Sequence, residues 1–452
     1  MKNSLGSSSI NSLIAKFSGP AILSMLAGAL YNIVDQIFLG HGVEEIAIGA
    51  TTVAFPIVTV CIAAALLCGV GGASNYNIES GRGEHERARH AAGTALFMAL
   101  ACGLAIMITL LLFLTPILRF FGATDRLLDY SRTYAGITAF GVPFLVLSTA
   151  GSHLIRADKN PNYSMACVLS GVVLNAILAP IFIFVFHWGM AGAGWAAAGS
   201  QAVSGLMVVV YFLKYQKMGL ALKDFRPVWS RVKRVLALGS ASSINQVAML
   251  VVQVLLNNQL TFYGAQSIYG AEISITCAGV VTKTSMLFLG VSIGISQGCQ
   301  PIWGYNFGAK NYGRVIQTYK KAALLSLAIG SVSFLLFQIF PAQIIRLFGV
   351  ESEAGIVFAT RYFRIFMLMT FINGLQPLSS GFFTSIGQAK LGIITSVTRN
   401  IAFFVPLIIT LPLIWGVNGI MFAGPIADGA AAVIAISFAV REVRKLSGLL
   451  SV

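Results

Sequence analysis

A carboxylate with phenol and amide neighbours on one face of an apolar helix can hold and release a small cation, and residues 24–35 have that pattern. Ser24, Gly28, Tyr31, Asn32 and Asp35 recur at steps of 4, 3, 1 and 3, so helical geometry gathers them on one face. An ionised Asp in mid-span costs about 2.5–3.5 kcal/mol on insertion scales. It persists where it faces a cavity or a partner, or where it sits near the membrane interface. Asp35 precedes Gly40 by five residues, roughly 7.5 Å along a helix, so position alone leaves both readings open. Lys283, Arg399 and Asp428 also fall inside apolar runs. Lys283 either snorkels, faces a cleft, or pairs with Glu272 or Asp428; Glu272, Arg399 and Asp428 suggest a charged cluster, structural or functional.

Uncharged polar residues extend the set. Gln246, Gln253 and Asn257 recur at steps of 7 and 4 on one face, and Asn373 and Gln376 stand beside Met367 and Met369. With Met286 they form either an adaptable, weakly polar lining for amphipathic molecules or interhelical hydrogen bonds. No enzyme chemistry emerges: there is no nucleophile–base couple and no paired acids. The six cysteines lie in apolar or Gly-rich stretches without C-x-x-C spacing, which reads as small buried hydrophobes. No metal-ligand cluster and no resident cofactor are expected. The GVVTKTS stretch at 279–285 lacks the spacing of a phosphate-binding loop, and no soluble nucleotide-binding domain is present to drive an ATP pump.

Those residues must be positioned by membrane helices. Of 452 residues, 30 are Lys or Arg and 15 Asp or Glu, 57% belong to the hydrophobic set, and mean hydropathy is +0.82. So few charges cannot cover a soluble globule of this size. Twelve apolar stretches are long enough to span a bilayer, at approximately 14–38, 46–72, 91–113, 131–155, 163–186, 190–213, 235–262, 272–303, 318–340, 355–384, 391–412 and 418–440. With both termini in the cytoplasm, 22 of the 30 basic residues fall on the cytoplasmic side, as the positive-inside rule requires. The net charge of +15 is a topology signal and implies no nucleic-acid partner. The polar, Ser-rich start has no signal-peptide pattern.

An internal repeat sets the architecture. At a shift of 227 residues, Gly71, Gly81 and Arg87 fall on Gly298, Gly308 and Arg314, RFFG at 119–122 on RLFG at 346–349, and WGxxG at 188–192 on WGxxG at 415–419. Six spans per half makes the repeats parallel, related by a pseudo-two-fold along the membrane normal. The expected fold is therefore an all-α integral membrane protein of two six-helix bundles: residues 1–213, a basic connector 214–234, and residues 235–452. Near the first span of each half the shift drops to about 220, so Gly19 meets Gly239 and Asp35 meets Leu255. The acid of the first half has no twin.

Five stretches carry a family resemblance: GPAILSMLAGALYNIVDQIFLG (19–40), GGASNYNIESGRGEHERAR (71–89), IRADKNPNYSMACVLSGVVLNAILAPIFIF (155–184), GISQGCQPIWGYNFGAKNYGRV (294–315) and TRNIAFFVPLIITLPLIWGVNGIMFAGPIAD (398–428). Together they resemble the multidrug and toxic compound extrusion (MATE) family of secondary transporters. The resemblance implies twelve spans in two lobes and favours a coupling role for Asp35, with Tyr31, Asn32 and Asn175 beside it and Pro20 as a bend in the first span. The chain departs from the family pattern where Lys159 replaces a Gly, and where Ala179 and Ala197 replace an Asp and a Thr of a sodium-binding cluster found in some members. That leaves at most a weak sodium site at Asp35 and Asn175 and favours protons. The expectation is a monomeric multi-pass carrier of the plasma membrane that exchanges amphipathic, often cationic, small molecules for protons, or for sodium. A lipid-linked precursor or polysaccharide flippase of the same superfamily is the alternative.

Overall fold

The computed structural model describes the backbone of residues 4–42, 45–348 and 352–450, and their side chains except at 4, 31–37, 39–48 and 271–272. Among the described residues the chain is helical, with no strand. The first half comprises α1 (Ile10–Gly42), α2 (Glu45–Gly81), α3 (His85–Phe120), α4 (Asp125–Ala139), α5 (Val142–Ala157), α6 (Pro161–Pro180) and α7 (Gly189–Val210). The second comprises α8 (Trp229–Ala265), α9 (Gly270–Gly308), α10 (Tyr312–Ile339), α11 (Glu353–Phe366), α12 (Leu375–Ser385), α13 (Ala389–Val397), α14 (Val405–Trp415) and α15 (Val417–Gly448). A π-helical segment at Thr398–Phe404 joins α13 to α14, and another at Ile181–Val185 prolongs α6.

Among the described residues ten helices are long and apolar enough to cross a membrane, and two bent pairs bring the number to twelve when each pair is one span. Apolar side chains such as Leu112 on α3, Leu324 on α10 and Ile414 on α14 are exposed on the outside, the surface that lipid solvates. Each of the runs 131–155 and 355–384 is a bent pair of helices. α4 and α5 meet at 55°, and α11 meets the helical segment 370–385 at 46°. Pro143 opens the first turn of α5, where its missing N–H costs nothing. Met367 and Met369 lie at the second break.

The repeat recurs in backbone conformation. The left-handed turn residues Gly83 (φ 82°) and Lys310 (φ 58°) are 227 residues apart, as are Gly189 (φ 53°) and Gly416 (φ 56°). Lys159 (φ 65°) and Gly387 (φ 84°) occupy the corresponding turns after α5 and α12. A left-handed lysine carries a strain of about 1–2 kcal/mol that glycine avoids.

Each half clamps the other through its second helix. A Cβ at Gly239 of α8 would stand 1.8 Å from the Leu67 carbonyl oxygen of α2, and one at Gly298 of α9 would stand 2.5 Å from Ser18 Cα of α1. At one end α2 and α9 cross: a Cβ on Gly81 would lie 2.1 Å from Tyr305 O, and one on Gly308 2.0 Å from Ile78 O. Gly81 and Tyr305 map onto Gly308 and Ile78 under the 227-residue shift, so this crossing lies on the pseudo-two-fold. Beside it Glu79, with a side chain only 3% exposed, accepts from Arg82 Nη1 at 3.1 Å and Arg234 Nη2 at 2.9 Å. Its repeat mate Asn306 donates instead to the Leu5 carbonyl at 3.1 Å.

Candidate functional site

Between α2 and the second half lies a cavity of about 120 Å³. α8 contributes Gln246, Met249 and Gln253, α9 contributes Ser285 and Met286, and α2 contributes Phe55 and Thr59. The π-helical segment supplies Arg399, Asn400 and Phe404. A π-helical turn inserts an extra residue per turn and re-aims the side chains it carries. Here it presents the neighbours Arg399 and Asn400 to the same space.

Arg399 heads a hydrogen-bonded network that ties four helical elements together. Its Nε lies 2.5 Å from Asp428 Oδ1 on α15, and its Nη1 donates to Asn400 Oδ1 at 2.9 Å. Asn373 Nδ2 donates to the other Asp428 oxygen at 3.1 Å, and Asn400 Nδ2 donates to Asn245 Oδ1 at 3.1 Å. The Arg399 guanidinium carbon also stands 5.9 Å from the centre of the Phe404 ring, within cation–π range. Asp428 is 4% exposed and Arg399 15%, so the carboxylate lies behind the guanidinium. The pairing of Lys283 with Asp428 is therefore not formed; Lys283 is exposed and in no ion pair with a described residue.

The other expected residues distribute as follows. Gln246, Gln253 and Met286 line the cavity. Asn257, one turn beyond, is exposed and accepts from Gln253 Nε2 at 3.0 Å. Met367 is buried in the apolar core of the second half. Gln376 is buried and donates to Thr395 O at 2.7 Å, joining α12 to α13. The side chains of Tyr31, Asn32, Asp35 and Glu272 lie outside the described residues. Asn175 is buried on α6 one turn before the buried Ala179, and α6 packs against α1. α1 continues through Pro20, whose carbonyl accepts from Ser24 Oγ at 2.9 Å.

Phe55, Thr59, Met249, Asn400 and Asn245 carry no sequence signal that marks them as site residues, apart from the adjacency of Asn400 to Arg399. The R-A-D-K-N-P stretch is a built turn. Asp158 Oδ2 accepts from the Lys217 amide at 2.6 Å and the Tyr211 hydroxyl at 2.7 Å, and Asn160 caps α6 by accepting from Tyr163 N at 3.3 Å. Burial pushes the Asp158 carboxyl above its ordinary 3.8, against the pull of those two donors.

The MatE family model matches residues 20–181 and 237–410, both halves of the repeat. The chain belongs to the MatE family. It is thus a multi-span membrane protein of a family of transporters, not an enzyme. It is similar to the multidrug export protein MepA of Staphylococcus haemolyticus, 26% identical over 430 residues that cover 95% of this chain and 93% of that protein. MepA of Staphylococcus aureus is 23% identical over 421 residues, 93% of this chain and 91% of the relative. Among solved structures, the outward-facing conformation of a multidrug resistance MATE family transporter of the MOP superfamily superposes with a TM-score of 0.91. It is 23% identical and covers 98% of both chains. A MOP superfamily transporter from Pyrococcus furiosus, described as having a binding pocket of reverse polarity, superposes at 0.90 with 22% identity and 98% coverage of both.

Proposed function

We propose that the chain is a secondary active multidrug exporter of the plasma membrane. It moves amphipathic and cationic small molecules outward in exchange for protons, by alternating access between residues 1–213 and 235–452. The observation that carries this reading is the end-to-end similarity to the MepA exporters, coupled with a cavity walled by amides, methionines and phenylalanines. Such walls rearrange around ligands of varied shape and fix none by a single charge.

In this reading Asp35 is the coupling carboxylate, with Tyr31, Asn32 and Asn175 around it and Pro20 as the point where α1 bends. The packing of α6 against α1 supports placing Asn175 near it. Protons are preferred to sodium because Ala179 and Ala197 remove two oxygen ligands that a sodium ion would need. Both termini and the 214–234 connector lie in the cytoplasm, following the distribution of basic residues, and the monomer is the working unit.

The test is reconstitution in liposomes with a pH or a sodium gradient imposed separately and a fluorescent cationic dye followed. A pH gradient drives dye extrusion and Asp35→Asn abolishes it. Extrusion driven by sodium alone, or full activity in Asp35→Asn, overturns the assignment.

A further inference from the structure

Arg399 is the one charged residue among the described residues lining the cavity, an unexpected feature in a site proposed to accept cations. Its charge is balanced from behind. Asp428 holds Nε at 2.5 Å, is withdrawn from the cavity wall, and is fixed through its second oxygen by Asn373. Among the described residues, Asn373 and Asn400, both uncharged, hydrogen-bond to the pair, and Arg399 is the only ion-pair partner of Asp428. The described lining of the cavity is therefore electrically neutral only while Asp428 is ionised. A single proton on that carboxyl dissolves the ion pair and leaves a guanidinium, already seated in the wall, without a counter-charge.

We propose that Asp428 is a second proton-carrying residue, and that it acts through Arg399 to set the cavity's affinity for cations. With Asp428 ionised, the amide and aromatic walls accept a lipophilic cation. With a proton on Asp428, the uncompensated Arg399 repels that cation, so proton arrival and substrate departure are coupled within one site. The step is a protonation alone: the proton goes onto a carboxylate oxygen, the ion pair breaks, and no co-reactant is consumed. Two unit charges roughly 8 Å apart in a medium of effective dielectric constant about 20 antagonise each other by on the order of thirtyfold in affinity. By linkage, a bound cation lowers the proton affinity of Asp428 by the same factor. Asp428 is a positioning residue, since it acts on the ligand through Arg399. The inference rests on the proposed exchange of cations for protons.

The experiment measures binding to the full-length purified protein of tetraphenylphosphonium and of the uncharged triphenylphosphine oxide. Asp428→Asn, which mimics the protonated state, weakens tetraphenylphosphonium binding at least tenfold and changes triphenylphosphine oxide binding less than twofold. Arg399→Gln combined with Asp428→Asn removes both charges and returns tetraphenylphosphonium affinity to within threefold of wild type. Unchanged affinity in Asp428→Asn, equal loss of both probes, or a double variant that stays weak would overturn the inference. Wild-type protein that binds neither probe overturns the substrate reading beneath it. Asp35→Asn that still exchanges protons refutes only the coupling role of Asp35, because the binding comparison does not involve that residue.

Discussion

Adding one methyl group at Gly239 should loosen the contact between the two halves. A Cβ there meets Leu67 O at 1.8 Å, Leu67 C at 2.6 Å and Leu67 Cα at 2.8 Å, all main-chain atoms, whereas ordinary contact begins at 3.4 Å. No side chain can rotate away, so α8 and α2 must part by about 1.6 Å, and overpacking of this kind costs about 1–3 kcal/mol. Alanine returns roughly 1 kcal/mol of helix propensity relative to glycine. Because the clash is backbone on backbone, we place the strain at the top of its range and the net loss near 2 kcal/mol. The internal alignment supplies the control. Gly19 is the repeat mate of Gly239, yet its Cβ would have no heavy atom within 4 Å, so Gly19→Ala should be neutral or stabilising by up to about 1 kcal/mol. Thermal unfolding in detergent, followed by tryptophan fluorescence, should lower the midpoint by several degrees for Gly239→Ala and leave or raise it for Gly19→Ala. Spin labels on α2 and α8 should report the widened separation. Equal midpoints for the two variants, or a more damaging Gly19→Ala, would refute the packing described.

Two further outcomes concern the turn after α5. Lys159→Gly relieves a left-handed backbone and should stabilise the fold by up to about 1 kcal/mol, read as a raised midpoint; a lowered midpoint would show that the lysine side chain matters more than its φ angle. Asp158 has a carboxyl pKa raised by burial. Its ionisation therefore opposes folding above the folded pKa, and that opposition disappears as pH falls toward the ordinary value. Asp158→Asn should accordingly show a midpoint less dependent on pH than wild type, and the two curves should converge on acidification; divergence on acidification would contradict the sign.

Much of the architecture was legible because it depends on quantities that a sequence displays directly. Apolar run length gave the spans, and a constant shift gave the repeat, down to turns such as Gly83 with Lys310 and Gly189 with Gly416. Gln246 and Gln253 could be placed on one face because α8 keeps a regular helical period through them. Asn257 shares their phase but lies beyond the cavity, since periodicity fixes direction around a helix and says nothing of where along it a cavity ends. The partner of Asp428 was open between helices for a related reason: charges in different helices carry no sequence relation. The π-helical segment at 398–404 also alters the phase that would have aimed Arg399. The bends at 140–141 and 367–369 were invisible to hydropathy because the apolar run continues through both.

The exchanged clamps bear on how the protein is made. The Ser18 hydroxyl donates to the Ile295 carbonyl across 277 residues of chain, so α1 has no partner on that face until α9 has been synthesised. At about 5–20 residues per second, that interval is roughly 15 to 55 seconds. Throughout it the first half sits in the membrane with the Ser18, Ile22 and Met25 face of α1, which the α9 glycines later cover, exposed to lipid or to a chaperone. The nascent first half is therefore an intermediate whose lifetime is set by translation speed.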